Sequence, residues 1–226
     1  MIKLPQRLER ISELLPERME RFIDVGCDHA LLPLSLIERQ RLNSAWAIDI
    51  NSGPLAKAEQ NARLRGLEAD LRLIQNNGLE NLDLEQDDTI LIAGLGGNEI
   101  LEIIANAKAV EGLKIYIQVN WHWDKLRQGL AERGWAIIEE TAIEERGRVY
   151  HFIITEYRAK PYELTSLDLY LGPVMHSKVK KREVNEAERA LLAELYRVQK
   201  KKAKSKRVEE LRLLKEIEEV LKQLEI

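Results

Sequence analysis

The sequence predicts an α/β domain with a mostly parallel sheet, followed by a helical extension. Short apolar runs alternate with helical patterns over residues 21–133, which is typical of βαβ units with helices on both faces of a sheet. Two strand-like runs then follow with only residues 144–148 between them, too few for a crossover helix, so an antiparallel hairpin is predicted. After Pro173 the chain has neither Gly nor Pro and is rich in Ala, Leu, Glu, Lys and Arg, which predicts one or two long helices.

The elements follow one another in a regular order. Apolar residues at helical spacing predict an amphipathic N-terminal helix that ends at Pro16 and is either a lid or a packing element. Ser52 is the predicted N-cap of a later helix, with Pro54 in its first turn. Other helices are predicted over residues 34–38, 100–107 and 125–133. Strands are predicted over residues 21–25, 45–50, 71–75, 89–93, 113–118, 135–143 and 149–157.

The C-terminal residues carry two apolar stripes at helical spacing. These stripes are Leu191, Leu195 and Val198, and then Leu214, Ile217, Leu221 and Leu224. The second stripe has the spacing of a coiled-coil seam. Between the stripes, over residues 200–207, either a helical hairpin turns, with Ser205 as the visible cap, or one long helix continues. The predicted domains are residues 1–158, which would bind a cofactor, and the helical residues 159–226.

Charge is distributed unevenly along the chain. The net charge of −3 excludes a uniformly basic nucleic-acid-binding protein. Residues 176–207 nevertheless contain 12 Lys and Arg against 4 Asp and Glu, while residues 1–175 contain 20 against 28. The single cysteine, Cys27, excludes an internal disulfide and a Cys-based zinc site. Because no apolar run is long enough to cross a membrane, we expect a cytoplasmic protein. A bound metal is not expected either.

Acidic and small residues follow the first strand. Asp24, Gly26 and Asp28 form a turn at the carboxyl end of this strand, which is where ligands bind in open α/β sheets. The turn lacks the third glycine of the dinucleotide fingerprint, which disfavours an NAD-dependent oxidoreductase. Carboxylates at the strand end would repel a diphosphate but favour S-adenosylmethionine, which carries a positive sulfonium and ammonium. The alternative is a structural turn in which Asp28 caps the next helix.

Three further strand ends complete the predicted cofactor site. Asp49 ends the second strand and can accept hydrogen bonds from both hydroxyls of a ribose, although it could instead cap a helix. Asn77 follows the third strand, where an amide can bind the edge of an adenine. Glycines after the fourth strand allow close approach of backbone to a ligand. The predicted cofactor-binding residues are Asp24, Gly26, Asp28, Asp49, Ile50, Asn77, Gly78, Ala93 and Gly94.

These motifs resemble one known family. The runs DVGCDHA at 24–30, NSGP at 51–54, GLGG at 94–97 and QVN at 118–120 are similar to those of the bacterial tRNA (adenine-N1)-methyltransferases that act on adenosine 22. The sheet pattern likewise resembles the Rossmann-like, seven-stranded sheet of class I methyltransferases. The resemblance extends along nearly the whole chain and implies S-adenosylmethionine as cofactor and methyl transfer to adenine N1 of tRNA. The chain departs from the usual family pattern at Cys27, Leu32, Asn77 and Val119, where Ser, an aromatic residue, Asp and Pro are usual.

The implied reaction needs alignment more than proton chemistry. Adenine N1 offers a lone pair at neutral pH and the leaving group departs neutral, so proximity and orientation can provide most of the catalysis. Asn120, at the end of the fifth strand, is the candidate for orienting the base. His29 and Asp28 are the other catalytic candidates, although His29 could equally well satisfy backbone groups at a helix start. No general base is assigned.

Aromatic and basic side chains are the candidates for binding RNA. Trp121 or Trp123 could stack on an unpaired adenine, whereas Trp46 and Trp135 lie in strands and are predicted to be core. The basic C-terminal residues, Lys178 among them, could bind tRNA phosphates or form an ordinary solvated helix face. The predicted substrate-binding residues are Gln118, Trp121, Lys180, Lys181, Arg182, Lys200, Lys201, Lys202, Lys204 and Arg207.

Two other functions fit the sequence. One is a methyltransferase of another RNA, a protein or a small molecule, and the other is a non-catalytic RNA-binding protein on the same scaffold. The oligomeric state is open between a monomer and a homodimer.

Overall fold

The computed structural model describes residues 2–224, which form a seven-stranded sheet with helices on both faces and a helical extension. The strands are β1 Arg21–Val25, β2 Ala45–Asp49, β3 Leu71–Gln75, β4 Asp88–Leu95, β5 Lys114–Val119, β6 Trp135–Glu145 and β7 Arg148–Tyr157. Their order is β3-β2-β1-β4-β5-β7-β6, and only β7 runs antiparallel to its neighbours. The predicted fold class is confirmed. Met1 and residues 225–226, the outer ends of the two predicted domains, lie outside the described residues.

Helices cover both faces of the sheet. They are α1 Gln6–Leu14, α2 Leu31–Glu38, α3 Ser52–Arg63, α4 Gly97–Ala105, α5 Trp123–Glu132, α6 Ser166–Leu171, α7 Pro173–Lys181, α8 Glu186–Lys202 and α9 Val208–Leu221. Helices α1, α2 and α3 share one apolar core with the sheet, and α4 and α5 share the other. No helix within residues 2–224 is long and apolar enough to span a membrane.

The strand order determines where a ligand can bind. From β1 the chain moves outward to β2 and β3, and then it returns to the other side of β1 to form β4 and β5. The crevice between the carboxyl ends of β1 and β4 is therefore the topological switch point, where open α/β sheets bind ligands. The central strands are buried on both faces, with Ile23 and Ile90 in one apolar core and Phe22 and Leu91 in the other, so they appear in the sequence as continuous apolar runs.

Local capping differs from the sequence prediction at two helices. Ser52 is the first residue of α3, and Asn51 occupies the N-cap position instead. Ser205 does not cap α9, because Arg207 holds that N-cap position without a side-chain hydrogen bond. Both predicted serine caps are therefore wrong.

The helical extension contains more helices than the sequence predicted. One or two long helices were expected after Pro173, but α7, α8 and α9 follow in turn. The break between α7 and α8 is a capping box, in which Asn185 Oδ1 accepts from the backbone N–H of Glu188 at 2.9 Å and Glu188 Oε2 accepts from that of Asn185 at 2.8 Å. Helices α8 and α9 form the hairpin alternative, since Gln199 Nε2 donates to Glu210 Oε2 at 2.6 Å across the turn.

A buried ion pair joins the extension to the sheet. Arg127 of α5 and Glu140 of β6 are 1% and 2% exposed, and Arg127 Nε donates to Glu140 Oε1 at 2.8 Å. The guanidinium also donates to three backbone carbonyls at the end of α6, at 3.0, 3.1 and 3.4 Å. Glu140 Oε2 accepts from the backbone N–H groups of Val174 and Met175 at the start of α7, at 2.9 and 3.2 Å. Each charge thus lies at the helix end that its sign stabilises.

Gly172 lies between α6 and α7. Its φ of +102° and its closeness to Glu140, whose carboxylate oxygens would lie 2.4 Å from an added Cβ, both require glycine.

Candidate active site

A cavity of about 150 Å³ lies at the carboxyl ends of β1 and β4. Its walls come from the turn after β1, from the end of β4 and from α1, and they include Arg7, Leu8, Asp24, Gly26, His29 and Ala93. A larger depression of about 700 Å³ lies around the opposite ends of β4 and β5 and contains none of the predicted site residues. The smaller cavity is therefore the candidate cofactor pocket.

The turn after β1 has an unusual backbone. Gly26, Asp28 and Ala30 all have positive φ, at 75°, 47° and 53°. Left-handed conformations cost a non-glycine residue of the order of 1 kcal/mol, so this turn is not optimised for stability alone. A Cβ on Gly26 would meet no atom within 4 Å, which leaves open space beside the backbone. Helix α2 has Ala30 at its N-cap position, so the alternative role of Asp28 as a helix cap is wrong.

Asp24 is the most buried carboxylate of the pocket. It is 7% exposed, and it makes no hydrogen bond or ion pair with the other described residues. Burial, followed by the charges of Asp28 and Asp49, raises the pKa of Asp24 to about 7. Asp24 and Asp28 line the pocket and the charge of Asp49 acts on Asp24, so the site favours a cationic partner, and S-adenosylmethionine carries a sulfonium and an ammonium. The residues present therefore fit this cofactor.

The end of β2 suits a nucleoside. Asp49 Oδ1 accepts from the backbone N–H of Asn51 at 2.9 Å, and Oδ2 remains available for a ribose hydroxyl. Because Asn51 holds the N-cap position of α3, Asp49 orients this turn but is not the cap residue. Ile50 is 59% exposed, which is high for a large apolar side chain, and it offers a face to a flat adenine ring.

The turn after β3 is shaped by an asparagine that was not predicted as a site residue. Asn76 Nδ2 donates to the carbonyls of Gly78 and Glu80 at 3.0 and 2.9 Å. Gly78 is buried, with φ of +62°, whereas Asn77 is exposed. The side-chain amide of Asn77 makes no hydrogen bond within the described part of the chain, so it is available to a ligand.

Asn120, just after β5, is fixed by both ends of its amide beside the turn that follows β4. Its Nδ2 donates to the carbonyl of Gly94 at 2.6 Å, and its Oδ1 accepts from Gln118 Nε2 at 2.9 Å. Each end retains one hydrogen-bonding position for a ligand. Gln118 is fully buried, so in this structure it supports Asn120 and has no exposed surface with which to contact a substrate.

The glycine-rich turn after β4 packs against residues 121–122, which follow β5. A Cβ on Gly96 would lie 2.2 Å from Trp121 Nε1, and one on Gly97 would lie 2.2 Å from the carbonyl of His122. These contacts explain why both positions need glycine. Trp121 packs one part of its indole on Gly96 and is 50% exposed.

The other tryptophans have different surroundings. Trp123 stacks on His151 with ring centroids 4.6 Å apart and contacts Tyr170 edge-on at 6.5 Å, so it packs between the sheet domain and the extension. Trp135 is 2% exposed, and its prediction as core is confirmed. Trp46 is half-buried: it packs against the same apolar core as Trp135, and the guanidiniums of Arg21 and Arg72 lie 4.4 and 4.7 Å from its ring centroid.

His29 lies in the pocket wall in contact with charged groups. Its Nε2 is 3.1 Å from Asp28 Oδ1 and 3.4 Å from Lys57 Nζ, and its backbone carbonyl accepts from Asn61 Nδ2 at 3.0 Å. The imidazole therefore interacts with side chains, while the backbone of His29 is held by α3. This arrangement keeps Asp28 and His29 together on one side of the pocket.

The predicted RNA-binding lysines and arginines are all exposed, in two groups. In the group at residues 200–207, Lys202 Nζ lies 5.5 Å from the ring centroid of Tyr170, which contacts Trp123 at the start of α5. Residues 180–182 follow Lys178, whose Nζ contacts Glu188 at the start of α8, at 3.0 Å. Since α8 has 17 residues, the two groups lie at opposite ends of a helix that is about 25 Å long.

Lys178 does not belong to the exposed basic group. Its ammonium is half-buried and also contacts Glu139 at 2.5 Å. Hydrogen bonds from Glu139 and Glu188 raise its pKa, although burial alone would lower it. Lys178 therefore stabilises the joint between α7, α8 and β6, and its prediction as part of an RNA-binding cluster is wrong.

Comparisons with known proteins give one consistent result. The family model described as tRNA (adenine(22)-N(1))-methyltransferase matches residues 22–223. The Bacillus subtilis protein of that description is 30% identical over 180 residues, which cover 77% of this chain and 75% of that protein.

Solved structures agree with the family model. A Streptococcus pneumoniae protein described as a putative tRNA (m1A22) methyltransferase has a TM-score of 0.81 at 27% identity, covering 97% of this chain and all of that one. The same protein in complex with S-adenosyl-L-methionine has a TM-score of 0.79 at 28% identity, covering 98% of this chain and 100% of that one. The family predicted from the sequence motifs is confirmed, and the chain belongs to the tRNA (adenine(22)-N(1))-methyltransferase family.

Proposed function

We propose that this protein transfers a methyl group from S-adenosylmethionine to N1 of adenosine 22 in tRNA, with Asn120 orienting the adenine. The observation that carries the catalytic part is the fixed amide of Asn120. It is bonded to Gly94, the residue after Ala93 in the pocket wall, and to the buried Gln118. An amide held in this way can position a base at the rim of the cofactor pocket without having to become ordered on binding.

Each acidic residue has a separate role in holding the cofactor. When bound, S-adenosylmethionine supplies an electrophilic methyl group on a positively charged sulfur, which adenine N1 takes with its own lone pair. Asp24 and Asp28 provide negative charge beside the sulfonium and ammonium, and Asp49 accepts from the ribose. Ile50 and Gly78 flank the adenine end, and Asn77 binds its edge. His29 and Asp28 line the pocket and need not move a proton.

The RNA is bound by two surfaces that differ in chemistry. Trp121 stacks on the target base or a neighbouring one, because half of its indole is exposed beside Asn120. Residues 180–182 and 200–207 bind phosphates, so residues 159–226 form the tRNA-binding part of the chain. A tRNA substrate also supports a cytoplasmic location.

The direct test is a methylation assay with labelled cofactor and total tRNA, followed by nucleoside analysis. The expected product is N1-methyladenosine, and primer extension on the modified tRNA should stop one nucleotide before position 22, because the methyl group blocks base pairing there. Label in another nucleoside, or a stop at another position, would contradict the substrate assignment.

The role of Asn120 is tested separately. The Asn120→Ala variant should lower kcat by about 100-fold, because a misplaced reacting group loses that much, and it should leave the Kd for S-adenosylmethionine unchanged. Asn98→Ala, at an exposed asparagine in the first turn of α4, is the matched control. Equal kcat values for the two variants would exclude the proposed role.

A further inference from the structure

A bulge near the end of β4 brings one backbone carbonyl to the side chain that follows β5. The register of β4 against β5 shifts between Ala93 and Leu95, so Gly94 is an extra residue in β4, with φ of +83°. A bulged residue is left out of the regular ladder of backbone hydrogen bonds. The carbonyl of Gly94 accepts instead from Asn120 Nδ2, at 2.6 Å.

This carbonyl determines the direction of two side-chain amides. A carbonyl oxygen can only accept a hydrogen bond, so the end of Asn120 beside Gly94 must be Nδ2, and Oδ1 must lie on the other side. Because Oδ1 needs a donor, Gln118 presents its Nε2 to it, at 2.9 Å. The orientation of the Asn120 amide therefore follows from the backbone of β4, and Gln118 keeps it from turning.

The burial of Gln118 is unfavourable apart from this contact. Its side chain is fully buried, and its Oε1 makes no hydrogen bond within residues 2–224. A buried oxygen without a donor destabilises the folded state, and a methionine would fill a similar volume without such an oxygen. Packing alone therefore does not require glutamine here, whereas Asn120 does require a donor at this position.

We propose that Asn120 binds the N6 and N7 edge of the target adenine and so distinguishes adenine from guanine, with Gln118 as a positioning residue. Asn120 Oδ1 retains a lone pair for the N6 amino group, and Nδ2 retains a hydrogen for N7, which is the bidentate pairing that asparagine forms with adenine. Guanine has a carbonyl in place of this amino group, so two acceptors would face each other. Binding at this edge leaves N1 free to receive the methyl group. The inference rests on the proposed function and adds which edge of the base is bound.

Two adenosine analogues placed at position 22 of a tRNA test the two hydrogen bonds. Purine riboside lacks the N6 amino group, and 7-deazaadenosine lacks N7 but has a more basic N1. Each analogue should lower the kcat/KM of the wild type by about 3- to 15-fold, as expected for the loss of one hydrogen bond. In Asn120→Ala the loss with 7-deazaadenosine should disappear, and the loss with purine riboside should shrink to the effect of the missing amino group on N1 itself. Because every variant receives the same tRNAs, effects of the analogues on RNA folding cancel between variants.

Gln118→Met tests the positioning role. The loss of kcat/KM with 7-deazaadenosine should fall to about twofold or less, because an amide that must first become ordered gains less from its hydrogen bonds. The kcat for adenosine should fall as well, while the Kd for S-adenosylmethionine stays unchanged. Gln199→Met is the matched control, since Gln199 of α8 is also fully buried, with an unpaired Oε1 and with Nε2 bonded to a side chain. It should discriminate between the tRNAs as the wild type does.

The other outcomes contradict the proposal at separate points. A wild type that methylates 7-deazaadenosine as fast as adenosine would exclude contact with this edge. Unchanged discrimination in Asn120→Ala would assign the edge to another residue, and unchanged discrimination in Gln118→Met would exclude its positioning role. Because the analogues test the wild type directly, a variant that fails to fold leaves this test intact. A wild type that does not methylate tRNA with adenosine at position 22 would overturn the proposed function instead, so the two failures are distinguishable.

Discussion

Two regions of this molecule bury ionisable groups, and they do so in opposite ways. At the end of β1, Asp24 is 7% exposed and has no partner among the described residues. Between α5, β6 and the extension, Arg127 and Glu140 are even more deeply buried, but they bond to each other and to five backbone groups. Because both regions belong to the same fold, we attribute the difference in the pairing of their buried charges to a difference in function.

The difference distinguishes a ligand site from a structural joint. A buried charge is tolerated when it is paired and its hydrogen-bonding capacity is used, as at Arg127 and Glu140. An unpaired buried carboxylate is unfavourable to folding and persists where a ligand needs it, so Asp24 marks the functional pocket. The pair should therefore be sensitive to mutation in folding experiments, and Asp24 should be sensitive in binding experiments.

The largest effect is expected from breaking the pair. Glu140→Ala should lower the free energy of unfolding by about 3–5 kcal/mol, because it leaves a buried guanidinium without its counter-charge and two N–H groups without acceptors. Urea denaturation measures this loss. Arg158→Ala removes the partly exposed ion pair with Glu156 and should cost less than about 1 kcal/mol. If the two variants lose equal stability, the buried ion pair contributes no more to folding than an exposed one, which would contradict the prediction.

The second prediction concerns Asp24, where mutation should raise the free energy of unfolding and not lower it. The folded pKa of about 7 exceeds the ordinary 3.8, so the carboxyl favours folding fully below pH 3.8 and loses that contribution as the pH rises to 7. Asp24→Asn should thus make the protein more stable at pH 8 than the wild type, by about 2–4 kcal/mol, with little difference at pH 3.5. Denaturation at both pH values measures the change.

The same Asp24→Asn variant should lose cofactor binding. A cationic ligand favours the ionised carboxylate, so wild-type affinity should rise with pH through about 7, and calorimetry of the variant should show a weaker and flatter dependence. A variant that is both destabilised and fully able to bind would reverse the distinction drawn between the two regions.

The sequence predicts features that depend on neighbouring residues, but it does not predict contacts between residues on different elements. The strands and the turn with Asp24 were predictable because apolar runs and a strand-end carboxylate are local patterns. The pairing of Arg127 with Glu140 is not local, since the two residues lie on different elements and each looks like a surface charge. Arg7 likewise has no sequence signal that separates it from Arg10.

Some details had a local signal that was missed. Asn185 and Glu188 have the spacing of a capping box, which predicts the break between α7 and α8. A single polar residue in the apolar run of β5, Gln118, is typical of a buried group with an internal partner rather than of a substrate contact. The early start of α2 gave no such signal, because it follows Ala30 in a left-handed conformation that alanine rarely adopts.

The third prediction sharpens the comparison within the joint itself. His151 is buried beside Arg127, whose Nη2 donates to its Nδ1 at 3.2 Å, and burial lowers its pKa well below 6.5. The unfolded chain binds a proton at this histidine near pH 6.5 and the folded chain does not, so stability is lost as the pH falls below 6.5. His151→Asn keeps an acceptor for Arg127 and should remove up to about 1.4 kcal/mol per pH unit of this slope between pH 6.5 and 5.

Denaturation across that interval measures the slope. Because Asp24 acts in the opposite direction over part of the same range, the acid-side loss should be steeper in Asp24→Asn than in the wild type. Identical slopes in the wild type and His151→Asn would contradict a neutral buried imidazole.

The smallest effect on folding is expected from the exposed basic residues, which belong to neither buried region. Lys201→Gln combined with Lys204→Gln should change the free energy of unfolding by less than about 0.5 kcal/mol, because surface charges away from such features contribute little. Binding should respond instead: the slope of log K for tRNA against log salt should fall by about 1 for each phosphate contact that is lost. The matched control replaces Lys215 and Lys222, two other exposed lysines of the extension, and should leave the slope unchanged. If both double variants lose the same slope, RNA binding depends on the total charge of the helices, and residues 200–207 have no special role in it.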